Sequence, residues 1–260
     1  MTGDGTVTYT SGSNAVATVS GTTVTGVGSG TVTITGTVAD GANYTYSTTT
    51  RTAQLKVTGV PATLEELKEW VLDGGEYNGS NYNFLGWYVD ASGNISTDDA
   101  SCIGRIAWIS TSDVDESLTD TRILVLATDD AATGNADNTC AWKATASSGE
   151  SAYNSQNTLN GYAFTTTHNS NATDYPAAYY ASQHTPASPT GCSAWFLPSY
   201  RQMDNMLTVA TSTGTGQLSG QYWLATESSS NTTYAWARWS SQFRPVTKTA
   251  EYKVRPCFAY

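Results

Sequence analysis

Charge is scarce in this sequence. Charged residues make up 13% of its 260 positions, about half the roughly 25% of an average soluble domain. Lys and Arg number 12 against 22 Asp and Glu, a formal net charge of −10. A nucleic-acid-binding face needs clustered basic side chains to neutralise phosphates, so no nucleic-acid partner is expected. No apolar run reaches the 18 or so residues of a membrane span, so no membrane insertion is expected either. The opening MTGDGTVTYT lacks the basic and apolar regions of a signal peptide.

Histidine and cysteine are also few. His168 and His184 lie in Ser-, Thr-, Asn- and Pro-rich stretches without HExxH spacing, and both read as ordinary loop residues. Cys102, Cys140, Cys192 and Cys257 show no CxxC pairing, which speaks against zinc. Four Cys are too few for a disulfide-built scaffold. Disulfides, in any of three connectivities, and free buried thiols both stay open. Walker-type, GxGxxG and G-x-S-x-G motifs are missing. Asp113, Asp115 and Glu116, and Asp129, Asp130 and Asp137, offer oxygen atoms of the kind that bind Ca²⁺. Neither group has the Gly and distal Glu of an EF-hand loop, and both read as solvated surface. The expectation is therefore no metal, no cofactor and no enzymatic activity.

What remains is hydroxyl-rich, glycine-rich and aromatic, with 8 Trp. The texture changes near residue 60. Before it, Val32 and Ile34 alternate with Thr31, Thr33 and Thr35, and Leu55 and Val57 repeat the pattern. Period 2 with β-branched residues predicts half-buried strands, with turns at Ser20-Gly21 and Gly28-Ser29-Gly30 and no helix. After it, Thr63-Leu-Glu-Glu66 is a capping-box pattern followed by Leu64, Leu67 and Val71, predicting a helix from Thr63 to about Asp73, stopped by Gly74-Gly75. Ser199 and Gln202 form a second capping box, with Met203, Met206, Leu207 and Ala210 as the buried stripe. Strands are expected at 103–109 and 122–127, and long polar loops elsewhere.

The stretch SNAVATVSGTTVTGVGSGTVTITGTV (13–38) resembles the bacterial Ig-like group 2 module. The match begins partway into that module, as in a truncated copy, and implies an all-β spacer over residues 1–59. Residues 60–260 carry ILVLATDDA (123–131), GCSAWFLPSYRQMDNML (191–207), QYWLATESSSNTTYAW (221–236) and KVRPCFAY (253–260). These blocks, in this order, resemble the C-type-lectin-fold variable proteins of diversity-generating retroelements. The resemblance implies an α+β C-type-lectin-like domain with two helices, short antiparallel strands and long loops.

It also implies a division of labour. Trp195, Leu197, Pro198, Tyr222, Trp223, Trp236, Val254, Arg255 and Pro256 match the fixed frame. Leu224, Thr232, Thr233, Tyr234, Ala237, Arg238, Trp239, Phe243, Arg244, Pro245 and Glu251 fall where such proteins vary, and are expected to form one exposed ligand-binding patch. Trp195, Trp223 and Trp236 are expected to lie largely buried beneath it. The residues themselves agree in part, because Arg238-Trp239 and Phe243-Arg244 set aromatics beside guanidinium groups, the side-chain types of binding hot spots. The implied role is recognition of an unknown protein or glycan on another cell or host, from a phage tail fibre or a bacterial surface. The triplets with which calcium-dependent lectins hold sugar (Glu-Pro-Asn, Gln-Pro-Asp, Trp-Asn-Asp) are missing. Two alternatives fit the same blocks. One is a fixed-specificity surface adhesin of the same fold. The other is an enzyme of the related formylglycine-generating type, whose reactive-thiol motif is not found around Cys192 or Cys257.

Overall fold

A computed structural model describes residues 4–28, 30–46, 49–57, 59–74, 84–147, 149–239 and 242–260. The chain divides into two compact units, Met1–Pro61 and Ala62–Tyr260, close to the compositional break.

Strands are the regular elements of the first unit among its described residues. β1 (Val7–Ser11), β4 (Gly30–Val38) and β5 (Thr50–Val57) form an antiparallel sheet in the order β1-β4-β5. β2 (Ala17–Ser20) and β3 (Thr23–Gly26) form a hairpin. Its turn is at Gly21, whose φ of 61° is open to glycine without a Cβ clash. Ser29, in the second expected turn, lies outside the described residues. Small hydroxyl side chains bury little, and among described residues only Ala17 and Val32 are buried hydrophobics here.

The second unit is α+β. α1 (Leu64–Leu72) starts where expected, with Thr63 Oγ1 accepting from Glu66 N at 3.2 Å, and ends at Gly74 with φ 72°. Gly75 lies outside the described residues. A five-stranded sheet runs β15-β9-β8-β6-β7, from β6 (Tyr88–Asp90), β7 (Ile95–Ser96), β8 (Cys102–Ile109), β9 (Ile123–Ala127) and β15 (Cys257–Ala259). Strand alternation splits its two faces. Ile123, Val125 and Ala127 join Leu64, Leu67 and Trp70 of α1. Leu124 and Leu126 join Met203 and Met206 of α4 (Tyr200–Thr211). The sheet is thus packed between two helices.

α4 carries the full capping box. Ser199 Oγ accepts from Gln202 N at 3.3 Å, and Ser199 N donates to Gln202 Oε1 at 2.9 Å. Its stripe departs from expectation at Leu207, which is half-buried, while Val209 is buried. The second sheet runs β10-β14-β11-β12-β13, from β10 (Thr139–Cys140), β11 (Gln221–Glu227), β12 (Tyr234–Trp239), β13 (Gln242–Thr247) and β14 (Tyr252–Lys253).

The helix count is corrected. α2 (Gly161–His168) and α3 (Pro176–Ser182) stand where loop was expected, giving four α-helices among the described residues with α1 and α4. GYAFTTTH has three consecutive Thr and no side-chain cap, so tertiary packing of Phe164 against Trp142, stacked at 4.9 Å, sets that helix. α3 carried a readable signal in Pro176 at its first turn. His168, read as a loop residue, is corrected with them, while His184 does lie in a loop. His168 ends α2 and stacks on Tyr175 at 4.0 Å. His184 is buried edge-on to Trp195 at 4.8 Å.

Candidate functional site

The predicted patch centres on the ribbon β12–β13, with β13 at the sheet edge. The register places Tyr234 opposite Thr247, Trp236 opposite Pro245 and Arg238 opposite Phe243 on one face. Ala235 opposite Val246, Ala237 opposite Arg244 and Trp239 opposite Gln242 share the other. Asn231 shapes the preceding turn by accepting from Thr233 N at 3.1 Å and Thr233 Oγ1 at 2.7 Å.

Much of the patch is at the surface. Tyr234 and Trp239 are 37% and 36% exposed. Thr232, Arg244, Pro245 and Glu251 are exposed, and Thr233 and Phe243 are half-buried. The Arg244 guanidinium lies over the Trp239 ring, 5.7 Å from its centroid, and donates to Gln242 Oε1 at 2.9 Å. Trp239 in turn sets its edge against Tyr252 at 5.8 Å. Large apolar rings held rigidly at a surface suit a partner better than solvent. Glu251 also lines an open groove of about 430 Å³ with Thr139, Cys140, Tyr180 and Thr249.

Three expected patch residues are buried and cannot belong to an exposed surface: Leu224, Ala237 and Arg238. Leu224 sits on β11, flanked by β14 and β12 and covered on both faces, so every residue from Tyr222 to Ser228 is buried. Alternation gives no exposed side on such a strand. Ala237 faces the Trp142–Trp223 cluster. Arg238 lies across from Tyr222 and Phe243 in the register.

The frame residues behave as a frame. Trp195 and Trp223 are buried, and their indole N–H groups donate to Pro186 O and Cys140 O, each at 2.7 Å. Leu197, Pro198, Tyr222, Val254 and Pro256 are buried. Arg255 binds Asp130 Oδ1 through Nε at 2.8 Å and the carbonyls of Ala127 and Gly216. Trp236 is the exception. It is only half-buried, packed with Tyr200, 5.0 Å away, and Phe243 at the margin of the cluster that α4 and β11 form.

Sequence reasoning missed the polar cluster behind the ribbon. Glu227 and Lys248 pair with neither side chain exposed. Lys248 Nζ lies 4.9 Å from the Trp142 ring centroid and donates to Ser147 O at 2.9 Å. Glu227 Oε2 also accepts from Glu150 N at 3.2 Å. Glu150 is held by Tyr175 OH, by Lys143 Nζ at 3.4 Å and by His168 Nε2 at 3.0 Å. The His168 contact is close enough for an ion pair but off the line of a hydrogen bond. Burial pulls the His168 pKa down, and Glu150 only partly offsets it. Burial acts to raise the Glu150 pKa, but its partners, Tyr175 first, leave it below the usual glutamate value. No local pattern signals this cluster, because its members come from distant segments.

Of the acidic groups read as solvated surface, Glu116, Asp129 and Asp137 are exposed as expected, while Asp113, Asp115 and Asp130 need correction. Asp115 is buried, accepting from Ser117 N, Tyr162 N and Gln202 Nε2 at 3.0, 3.0 and 2.9 Å. Asp113 pairs with Arg122, and Asp130 with Arg255 and Lys253. These carboxylates are occupied by donors within the chain. No group of three or more His, Cys, Asp or Glu suited to a metal ion occurs among the described residues. The cysteines are free, and burial pushes the Cys140 and Cys192 thiols up to about 12.

No family model matches this chain, and no curated protein matches it. Among solved structures it is similar to a fimbrial protein from Bacteroides ovatus ATCC 8483, at 15% identity and a TM-score of 0.44. The match covers 89% of this chain and 57% of that one, so the chain spans a little over half the length of the fimbrial protein.

Proposed function

We propose that this chain is a receptor-recognition protein. A C-type-lectin-like unit, Ala62–Tyr260, presents the β12–β13 ribbon as its binding edge, with Trp239 and Arg244 on one face, Tyr234 and Pro245 on the other with Phe243 beside them, and Thr232, Thr233 and Glu251 in the adjoining turns; the expected single patch is thus divided between two faces. An Ig-like spacer carries that unit on a phage tail fibre or bacterial surface. The patch is the part a retroelement diversifies, and its ligand is a protein or glycan on another cell or host.

One observation carries the reading. Along one short ribbon, exposed Tyr234, Trp239 and Arg244 flank Ala235, Ala237 and Arg238, which are fixed by burial. Exposed positions accept substitution within about 0.5 kcal/mol, whereas truncating a buried Trp costs roughly 3–5 kcal/mol. A surface built this way changes its ligand without losing its fold. A fixed-specificity adhesin uses the same patch without diversification. The thiols weigh against the formylglycine-generating reading: the nucleophile in such chemistry is the thiolate, and burial raises Cys192 to about 12 and Cys257 well above the ordinary value.

The test is binding of the labelled full chain to a panel of bacterial and host cells. Trp239→Ala and Arg244→Ala are expected to abolish binding to the recognised cell while lowering the melting temperature by no more than about 4 °C. Undiminished binding by both variants contradicts the assignment.

A further inference from the structure

The open groove of about 430 Å³ is lined by β10, the loop before it, α3 and the turn between β13 and β14. That volume falls within the range of small-ligand sites. Its lining segments are held by hydrogen bonds within the chain. The Asn135 amide accepts from Thr139 N at 3.1 Å and Thr133 Oγ1 at 3.2 Å, and donates to Thr139 O at 2.7 Å, which fixes the loop before β10. Ala144 N donates to Asp174 O at 3.0 Å, tying the segment after β10 to the approach to α3. Ala250 N donates to Thr247 O at 3.0 Å and closes the β13–β14 turn. A groove set in advance loses less freedom when a ligand enters.

The lining combines both hydrogen-bonding senses with apolar surface. Pro176 and Tyr180 are four residues apart on α3 and share its groove face. Tyr180 is half-buried, and its hydroxyl has no hydrogen-bond partner among the described residues. Thr249 and Glu251 come from the turn, and both are exposed. No hydrogen bond or ion pair reaches the Glu251 carboxylate among the described residues. Thr249 Oγ1 meets Thr247 Oγ1 at 3.3 Å and keeps further capacity, since a hydroxyl donates once and accepts twice. Ala141 and Pro176 add apolar lining.

We propose that this groove binds a neutral sugar ring of a glycan. A sugar hydroxyl both gives and takes hydrogen bonds, so it can donate to Glu251 and exchange bonds with Tyr180 and Thr249. The C–H face of the ring suits the Tyr180 and Pro176 side. An ammonium group only donates and leaves the hydroxyl hydrogens of Tyr180 and Thr249 unused. Phosphate, sulfate and uronate groups are repelled by Glu251 and by a chain of net charge −10. The inference rests on the recognition reading for its source of sugar, but it uses Glu251 alone among the ribbon's residues, so the two fail separately.

The test is NMR titration of the ¹⁵N-labelled full chain. The probes are the methyl glycosides of glucose, galactose, mannose and N-acetylglucosamine, with glucuronic acid and Nα-acetyl-lysine amide as the charged comparisons. At least one glycoside is expected to shift the backbone amides of Tyr180, Thr249 and Glu251 saturably, while those of Trp239 and Arg244 stay in place. Glucuronic acid and acetyl-lysine amide are expected to shift none of them. Glu251→Ala should weaken the glycoside about tenfold, the loss that goes with a hydrogen bond to a charged group. Trp239→Ala should leave its affinity unchanged. Both variants are expected to melt within about 4 °C of the parent. No groove shift with any of the glycosides, or an equal shift with either charged probe, overturns the proposal. Shifts confined to Trp239 and Arg244 overturn the groove and leave the ribbon reading in place. Groove shifts, together with cell binding that survives Trp239→Ala and Arg244→Ala, uphold the sugar site and overturn the ribbon reading instead.

Discussion

Glu227 and Lys248 form an ion pair in which neither side chain is exposed. Glu227 ends β11, and Lys248 follows β13, its N–H donating to Thr233 O at 3.1 Å. The pair therefore ties the loop before β12 and the turn after β13 to the centre of the sheet. It is the anchor from which the exposed ribbon extends.

Breaking this pair is expected to damage the fold. Glu227→Gln or Lys248→Met leaves one buried charge without its partner, which costs about 3–5 kcal/mol. Replacing both residues with apolar side chains of similar volume costs far less, because no stranded charge remains. Urea unfolding of the two single variants and the double variant measures this. Single-variant losses below about 1 kcal/mol contradict the anchoring role.

The two kinds of tryptophan separate by mutation. Trp223→Ala removes a fully buried, hydrogen-bonded ring and is expected to cost roughly 3–5 kcal/mol. Trp239→Ala removes a ring that is 36% exposed and is expected to cost about 1 kcal/mol or less. Equal losses in chemical denaturation contradict the division between frame and patch.

Acid is expected to loosen the unit that holds both histidines. Burial lowers the pKa of His168 and of His184 below the ordinary 6.5. The unfolded chain then binds protons that the folded chain refuses, so stability is fully present above 6.5 and is lost as pH falls through the lowered values. Glu150, held below its ordinary 4.5, adds a second loss at lower pH. Melting temperatures across this range should fall with acidity, and His168→Gln should reduce the fall in the histidine window. A melting temperature that rises on acidification contradicts both shifts.

The sequence carried the two capping boxes, because a cap is local chemistry between residues three apart, and Thr63 and Ser199 both accept the expected N–H. It also carried the compositional break and the edge-strand exposure of Arg244 and Pro245. It did not carry the burial of Leu224 and Ala237, which depends on strand order: β11 lies between β14 and β12, and nothing local to QYWLATE says so. Nor could it bring Glu150 to Glu227 and Lys248, whose contact arises only when β11, β13 and the 141–150 segment meet. α2 was hidden because packing, not propensity, makes it helical.

The two units are expected to differ in independence. A fragment starting at Ala62 retains the three hydrophobic clusters of the second unit and should melt at close to the temperature of its transition in the full chain. Residues 1–61 have Ala17 and Val32 as their buried hydrophobics among described residues, so this unit is expected to melt at a lower temperature than the second. Limited proteolysis followed by calorimetry checks this. Loss of a cooperative transition in the larger fragment contradicts it.

The central claim is that an exposed ribbon varies over a fixed frame. The most direct measurement is sequencing of the DNA flanking this coding region, together with sibling copies of the gene. The expected result is a near-copy of the 3′ coding segment beside a reverse transcriptase gene, differing at template adenines. Substitutions should fall at the codons of Thr232, Thr233, Tyr234, Trp239, Arg244, Pro245 and Glu251, while those of Trp223, Leu224 and Ala237 stay constant. A locus with neither template nor reverse transcriptase, or substitutions concentrated at the buried positions, contradicts the account.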